Sequence, residues 1–194
     1  MTLCLNDHLD DLGGDALSVA LASLPAWRRE RALAYRHEAG QLQCALAYVE
    51  LCRALALRGC PVRLPHFTYN EHGKPLLEEC PDVHFSMSHC SLAVGCLVDN
   101  QPCGLDIESI RPLKPALVKR VMNAEEASRI LASPTPEVEF AWWWTRKEAV
   151  FKLLGTGITD ALPNILTRAR AEGILLHTMA NPARGYVMST ARCP

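Results

Sequence analysis

The sequence has no excess of charge of either sign. Its 20 lysine and arginine residues nearly balance its 21 aspartate and glutamate residues, and the formal net charge is −1 at pH 7. A protein that binds nucleic acid usually carries a strong positive charge, and a disordered chain has few hydrophobic residues. Because 49% of the residues are hydrophobic, we predict a folded protein without nucleic-acid partners, in which any charged function is local.

Long apolar runs are also missing. No stretch approaches the roughly 18 apolar residues of a membrane-spanning helix. The opening segment MTLCLNDHLDDLGG is acidic and lacks the apolar core of a secretory signal. We therefore expect a soluble, cytoplasmic protein that does not associate with membranes.

Two motifs that would indicate other kinds of site are absent. The nine cysteines are scattered and include no CxxC pair, so the sequence predicts free, buried thiols rather than a disulfide framework or a zinc ribbon. No GxxxxGK[ST] loop is present, which argues against a phosphate-loop nucleotide-binding protein.

The first half of the chain alternates between helical and strand-like periodicity. Gly40 is expected to interrupt the helical pattern before a long helix. The predicted order is a strand, two short helices, the long helix and three strands of an antiparallel meander, in residues 2–6, 15–24, 26–38, 41–59, 66–70, 82–89 and 91–99.

The second half repeats this order. Asn123 and Glu126 have the spacing of a capping box at the start of a helix. The predicted elements are a strand, two short helices, a long helix and three strands, in residues 103–109, 113–122, 124–132, 137–155, 164–170, 173–179 and 185–193. The repetition predicts an α+β fold built as a pseudo-twofold duplicated unit, with halves 1–100 and 101–194 and a cleft at the seam.

Two carboxylates share one face of the strand CGLDIES. Side chains alternate along a strand, so Asp106 and Glu108 project to one side while Leu105 and Ile107 point to the core. A solvated polar face of an edge strand would give the same alternation. The strand alone therefore leaves a functional and a structural interpretation open.

A third carboxylate lies on the second long helix, in WTRKEAVFK. Glu148 and Lys152 are four residues apart and share a helix face, one turn from Trp144. A surface ion pair has the same spacing. The alternative is that Asp106, Glu108 and Glu148 together hold Mg²⁺ on a pyrophosphate, with Lys152 neutralising the remaining phosphate charge.

These segments resemble the Sfp-type 4′-phosphopantetheinyl transferases. That family has a G[IVL]DIE strand and a W[ST]xKEAxxK helix, which residues 104–108 and 144–152 match in the same order. It also has a GKP turn and an FxxSH strand, which residues 73–75 and 85–89 match. The resemblance covers residues 25–157, with weaker agreement in the last strands.

The resemblance implies transfer of the 4′-phosphopantetheine arm of coenzyme A to a serine of an acyl or peptidyl carrier protein. It implies that Asp106, Glu108 and Glu148 hold Mg²⁺, that Glu148 is the base, and that Lys152 binds phosphate. Adenine and the 3′-phosphate would be bound by the remaining predicted residues, which are Arg28, Arg31, Lys74, Pro75, Ser88 and His89. Many relatives have arginine where this chain has Gln41 and Gln43.

The same residues are compatible with other functions. One is a non-catalytic module of the same fold that binds coenzyme A or a carrier protein. Another is a magnesium-dependent phosphoryl transferase with a different substrate, which the missing phosphate loop disfavours.

The basic segment at residues 111–122 contains Lys119 and Arg120 beside an expected apolar stripe of Leu117, Val118, Val121 and Met122. It is either a solvated helix or a docking surface for an acidic carrier. We expect a monomer.

Overall fold

The computed structural model describes residues 1–194 and contains helices and small antiparallel sheets. The helices are α1 (Ala16–Ala22), α2 (Ala26–Leu33), α3 (Glu38–Leu57), α4 (Pro115–Val121), α5 (Ala124–Ala132), α6 (Pro136–Leu154) and α7 (Ile165–Ala171). The strands are β1 (Thr2–Asn6), β2 (Phe67–Tyr69), β3 (Pro75–Leu77), β4 (His84–His89), β5 (Val94–Asp99), β6 (Cys103–Ser109), β7 (Leu175–Asn181) and β8 (Tyr186–Arg192). The α+β class is confirmed.

Two three-stranded antiparallel sheets have the same strand order. One has the order β1-β5-β4 and the other β6-β8-β7, so in each sheet the last strand along the chain lies in the middle. The long helix α3 packs on β5, and α6 packs on β6 and β8. β2 pairs only with β3, as a separate hairpin, and β1 is the third strand of the first sheet, so the predicted meander of residues 66–70, 82–89 and 91–99 is wrong. The pseudo-twofold duplication and its two halves stay predictions.

The two sheets meet along β4 and β6. The backbone N–H groups of Leu105 and Ile107 donate to the hydroxyls of Ser86 and Ser88, at 2.9 and 3.1 Å. One hydrophobic cluster continues through this seam from Leu97 and its neighbours in the first sheet to side chains of the second. The seam is therefore part of the protein interior, and side chains from both sheets converge there.

The predicted strand at residues 164–170 is wrong, because this segment forms α7. Ile165 and Ala169 are its buried residues, and their four-residue separation matches a helix rather than the two-residue period of a strand. They pack against Val150 and Leu153 of α6. So short a segment carries little periodicity, and contact with α6 decides its conformation.

Two smaller predictions also need correction. Gly40 does not precede the long helix but lies in its first turn, since α3 begins at Glu38. A Cβ at Gly40 would lie 3.1 Å from Tyr35 Cδ1, so its close neighbour, not a helix break, explains the glycine. The GKP turn continues at Pro75 into β3, which was not predicted.

The capping box of α5 is confirmed. The Asn123 side chain accepts from the Glu126 backbone N–H at 2.9 Å, and the Glu126 carboxylate accepts from the Asn123 N–H at 3.0 Å.

None of the helices combines the length and apolar composition needed to cross a bilayer.

Candidate functional site

The site begins where β6 and α6 approach one another at Gly104. A Cβ on Gly104 would lie 1.9 Å from the backbone oxygen of Ala149 and 2.6 Å from the backbone nitrogen of Leu153. Only glycine allows this approach, because the contacted atoms belong to the backbone of α6 and cannot move aside locally. The close packing brings the carboxylates of β6 beside the polar face of α6.

Asp106 is the centre of the polar contacts at the seam. Its side chain is nearly inaccessible, and Oδ1 accepts from Lys152 Nζ at 2.7 Å and from Ser88 Oγ at 3.0 Å. Its other oxygen, Oδ2, is buried and has no hydrogen-bond partner. Lys152 Nζ also donates to Ser88 at 2.9 Å. The lysine therefore pairs with the carboxylate of β6 rather than with Glu148 on its own helix, and Ser88 of β4 joins this pair from the other side of the seam.

Burial and mutual repulsion perturb the other two carboxylates. Burial, and after it the negative charge of Asp106, raise the pKa of Glu148 to about 7 against the opposing charge of Lys152. Burial and then Asp106 also raise the pKa of Glu108, whose Oε1 accepts from Trp144 Nε1 at 3.3 Å. The site thus concentrates negative charge in a desolvated position, which favours proton or cation binding.

The donor set suits Mg²⁺ only as a partial site. No three acidic, histidine or cysteine side chains are grouped closely enough to hold a metal ion by themselves. Mg²⁺ usually takes one or two carboxylates and completes its shell with water and substrate phosphate oxygens. The free buried oxygen of Asp106 and the raised pKa values of Glu108 and Glu148 fit that arrangement.

Two cavities adjoin this cluster and share part of their walls. The first, of about 290 Å³, is lined by Glu148 and Lys152 together with Lys74 of the hairpin turn. The second, of about 240 Å³, is lined by Arg28, Arg31 and His89. The residues common to both are Gly73, Pro75 and Met87. Cationic side chains therefore line a cleft that leads to the carboxylates.

The predicted coenzyme A residues lie in different surroundings. Lys74 Nζ donates to the carbonyl oxygens of Leu153 at 3.0 Å and Cys103 at 3.4 Å, and burial lowers its pKa. Burial first, and then the charges of Lys152 and Arg28, lower the pKa of His89. Ser88 lies at Asp106 and does not line the second cavity.

Arg28 is the buried arginine that lines the second cavity. It is buried and donates through Nη2 to the carbonyl oxygen of Cys44 at 3.2 Å. Its guanidinium carbon lies 5.6 Å from the centroid of the Tyr48 ring. The Nε atom is buried without a partner. Nearby Gln41 uses its side-chain amide to cap the backbone oxygen of Tyr35 at 2.9 Å.

The second half of the chain is similar to a known protein family. Residues 102–185 match the 4′-phosphopantetheinyl transferase superfamily. They are a domain of this superfamily. The chain is 36% identical over 109 residues to the 4′-phosphopantetheinyl transferase psf-1 of Bacillus pumilus, an alignment that covers 55% of this chain and 47% of that protein.

Two further relatives support the resemblance. Identity to the 4′-phosphopantetheinyl transferase Sfp of Bacillus subtilis (strain 168) is 35% over 109 residues, covering 55% of this chain and 49% of the relative. The L-aminoadipate-semialdehyde dehydrogenase-phosphopantetheinyl transferase of Eremothecium gossypii is 30% identical over 177 residues, covering 83% of this chain and 61% of that protein. The predicted Sfp-type resemblance is confirmed, and the chain spans about half the length of the Bacillus relatives.

The sequence did not reveal one positioning residue of this transferase-like site, Asn70. Asn70 accepts from the backbone N–H groups of His72 and Lys74 at 3.0 and 2.8 Å, and donates to the oxygen of Gly155 at 2.8 Å. It thereby joins the GKP turn to the C-terminal end of α6. An asparagine shortly before a glycine turn is the signal that could have identified it.

Lys147, within the helix motif of the transferase family, points away from the cleft. Its side chain is fully buried, forms an ion pair with Glu126 at 2.8 Å, and donates to the backbone oxygens of Leu162 and Pro163. It therefore connects α5 and the turn before α7 to α6. Its role in the motif is structural.

The predicted apolar stripe in residues 111–122 is wrong in part. Val118, Val121 and Met122 are buried against Ile130 of α5, because α4 packs its apolar face inward. Only Leu117 of the stripe is exposed. The charges of Lys119 and Arg120 remain on the surface.

Proposed function

We propose that this chain transfers the 4′-phosphopantetheine arm of coenzyme A to a serine hydroxyl of an acyl or peptidyl carrier protein. The other product is adenosine 3′,5′-bisphosphate. The observation that carries the proposal is the contact of Asp106 and Ser88 with Lys152, which together with Glu148 lines the first of two adjoining cavities whose walls carry cationic side chains. A pyrophosphate needs cationic walls, and the attacking hydroxyl needs a proton acceptor.

Asp106, Glu108 and Glu148 are the residues that would hold Mg²⁺ in this proposal. When bound, the ion neutralises charge on the pyrophosphate oxygens as a Lewis acid. The unpartnered oxygen of Asp106 and the crowding of negative charge around it support this assignment.

Glu148 is proposed to accept the proton of the carrier serine. Its pKa of about 7 is close to the value that makes a carboxylate an effective base near neutral pH. Lys152 is held by Asp106 and Ser88 at the wall of the first cavity, where its ammonium would neutralise a phosphate oxygen. Ser88 then orients Lys152 and Asp106 rather than binding the nucleotide.

The second cavity is proposed to bind adenine and the 3′-phosphate. Arg28 and Arg31 would supply charge and His89 a hydrogen bond, while Pro75 forms part of the wall. Lys74 lies on the other side of the shared wall, and its amine would leave the backbone carbonyls of Leu153 and Cys103 to reach a phosphate.

The direct test is incubation of an apo carrier protein with the chain, coenzyme A and Mg²⁺. Transfer adds about 340 Da to the carrier, the mass of one phosphopantetheine group delivered by phosphoryl transfer. Asp106→Ala and Glu148→Ala should each lower the rate by orders of magnitude without unfolding the protein. Glu125→Ala, which removes an exposed carboxylate on α5, is the matched control.

The same experiment separates this function from a non-catalytic module of the same fold. Such a module would bind coenzyme A in calorimetry and leave the mass of every carrier unchanged. Near-wild-type transfer by Glu148→Ala would instead show that the carboxylate on α6 has no chemical role.

Recognition of the 3′-phosphate has its own test. The double change Lys74→Ala with His89→Ala should raise the KM for coenzyme A far more than the KM for dephospho-coenzyme A, because the lost contacts exist only with the first ligand. Equal increases for the two ligands would contradict the assignment of these residues to the 3′-phosphate.

The proposal extends to the setting of the reaction. The carrier would belong to fatty acid, polyketide or nonribosomal peptide synthesis, and the protein would act as a monomer in the cytoplasm. A panel of purified apo carriers in the mass assay would identify the preferred class.

A further inference from the structure

Two of the nine cysteines lie in direct contact. The sulfur atoms of Cys60 and Cys80 are 3.5 Å apart, within the range of a thiol hydrogen bond. Both are partly exposed, whereas Cys4, Cys44, Cys90, Cys96 and Cys103 are buried. The expectation of free thiols is confirmed, and that of buried thiols is right for these five and wrong for the partly exposed ones. Small molecules can therefore reach a pair of thiols that the fold has already brought together.

The backbone holds each cysteine of the pair in place. Both precede a proline, Pro61 and Pro81, which restricts the conformation of the preceding residue. The N–H of Cys60 is bound to the Leu55 oxygen at the end of α3, after Gly59 in a left-handed conformation. Two restrained backbone positions therefore hold sulfurs that are already in contact.

The pair closes the base of a functionally placed segment. Residues 61–79 leave the end of α3, form the hairpin β2-β3 and return beside the same hydrophobic cluster, against which both cysteines pack. The tip of this hairpin carries Lys74 and Pro75, which line the cleft. A covalent link between Cys60 and Cys80 would therefore tie together the two ends of the segment that forms one wall.

We propose that Cys60 and Cys80 are a modification site, a dithiol that low-molecular-weight disulfides of the glutathione class oxidise to a reversible intramolecular disulfide. One thiolate attacks the small disulfide, forms a mixed disulfide and releases one small thiol. The second thiolate then attacks the protein sulfur of the mixed disulfide and releases another. Two protein thiols are oxidised, one small disulfide is reduced to two thiols, and two protons are released and taken up by those thiols.

The protein with the Cys60–Cys80 disulfide is expected to be more stable than the reduced protein. A disulfide limits the freedom of the unfolded chain, and the link closes a loop long enough for a measurable effect. We expect oxidation to raise Tm by about 5 to 10 °C. The pKa of Cys80 is raised, first by its hydrogen bond with Cys60, so oxidation should accelerate as the pH rises above neutral.

The test uses the full chain and needs no transferase activity. Reduced protein is equilibrated with oxidised glutathione, quenched with acid, and its remaining thiols are alkylated and counted by mass spectrometry under denaturing conditions. We expect two of the nine thiols to be lost without a glutathione adduct, and to return with dithiothreitol. Cys193→Ser, which removes another partly exposed cysteine, should behave like wild type.

The variants Cys60→Ser and Cys80→Ser identify the pair. Each should retain all its thiols or hold a stable glutathione adduct, and each should lose the rise in Tm. Thermal melts of the reduced variants verify that they fold. The proposal would be overturned if the wild-type protein kept all nine thiols or stopped at the glutathione adduct. It would also be overturned if Cys60→Ser still lost two thiols without an adduct, since another pair would then form the disulfide.

Discussion

At the level of single residues, the protonation of Glu148 connects the site to stability. Its pKa rises from the ordinary 4.5 to about 7 in the folded protein, chiefly through burial. Between these two values the folded protein retains a proton that the unfolded chain has lost. The folded state therefore binds more protons, and the free energy of unfolding falls as the pH rises through this window.

This difference in proton binding predicts how stability changes with pH when no Mg²⁺ is added to the protein. Its free energy of unfolding should fall more steeply between pH 4.5 and about 7 than that of Glu148→Gln, which cannot ionise. Urea unfolding of both proteins at several pH values measures the difference, and this subtraction removes the contribution of His84 and His89, which also titrate. Parallel pH profiles would show that Glu148 ionises normally.

Gly104 gives a second prediction at this scale. Gly104→Ala should lower the free energy of unfolding by about 3 to 5 kcal/mol, because its Cβ would meet the Ala149 oxygen at 1.9 Å and force α6 away from β6. Gly14→Ala is the matched control, since nothing lies within 4 Å of its Cβ. Urea denaturation compares the two, and equal stabilities would mean that the helix and strand separate without cost.

At the level of elements, the helix α6 has two functional sides. One side presents Glu148 and Lys152 to the cleft, and the other buries Lys147 against Glu126 of α5. The buried ion pair also involves the capping box, because Glu126 accepts from the Asn123 N–H. The position of the face that carries Glu148 and Lys152 thus depends on a charge pair behind it.

Breaking this pair should destabilise the protein. Lys147→Met leaves Glu126 buried without its partner, and we expect a loss of about 3 to 5 kcal/mol in the free energy of unfolding. The double variant Glu126→Gln with Lys147→Met should recover part of it, since no unpaired charge remains. The exposed pair Arg129–Glu125 is the control, and Arg129→Met should change stability by less than about 0.5 kcal/mol.

That result would also separate structure from catalysis. If Lys147→Met retained wild-type stability and lost only turnover, the lysine would act in the reaction, and the structural role assigned to it would be wrong. Thermal melts and the carrier mass assay on the same preparations provide both measurements.

At the level of the whole molecule, the surface beside the carboxylates is the expected carrier contact. A cavity of about 260 Å³ lies there, lined by Glu108 and Trp144 of the site and by Arg111, Lys114 and Leu117 of the following segment. Carrier docking at this position would bring its serine toward the phosphorus, as in-line attack requires. The exposed Lys119 and Arg120 would attract an acidic partner helix.

The corresponding prediction concerns charge reversal. Lys119→Glu with Arg120→Glu should raise the KM for an acidic carrier several-fold, leave the KM for coenzyme A nearly unchanged, and weaken the salt dependence of transfer. Arg168→Glu with Arg170→Glu, on the exposed face of α7, changes the net charge by the same amount and is the control for charge alone. Wild-type kinetics of the double variant at low and high salt would place docking elsewhere.

The sequence by itself determined the parts of this protein that depend on local pattern. The strand predicted at residues 103–109 coincides with β6, and the capping box of α5 forms as expected. Both follow from side-chain periodicity and from hydrogen bonds between neighbours, which a short segment contains. The four family motifs were visible for the same reason, since each is a short run with a fixed spacing.

Tertiary structure decided what depends on distant partners. Residues 165–171 became a helix because α6 offers an apolar face, and Val118 turned inward because α5 lies beside it. Lys152 of α6 pairs with Asp106 of β6, Ser88 reaches the same carboxylate across the seam, and Cys60 meets Cys80 at the base of the hairpin. Spacing along the chain shows which side chains share a face, but only packing decides what that face meets.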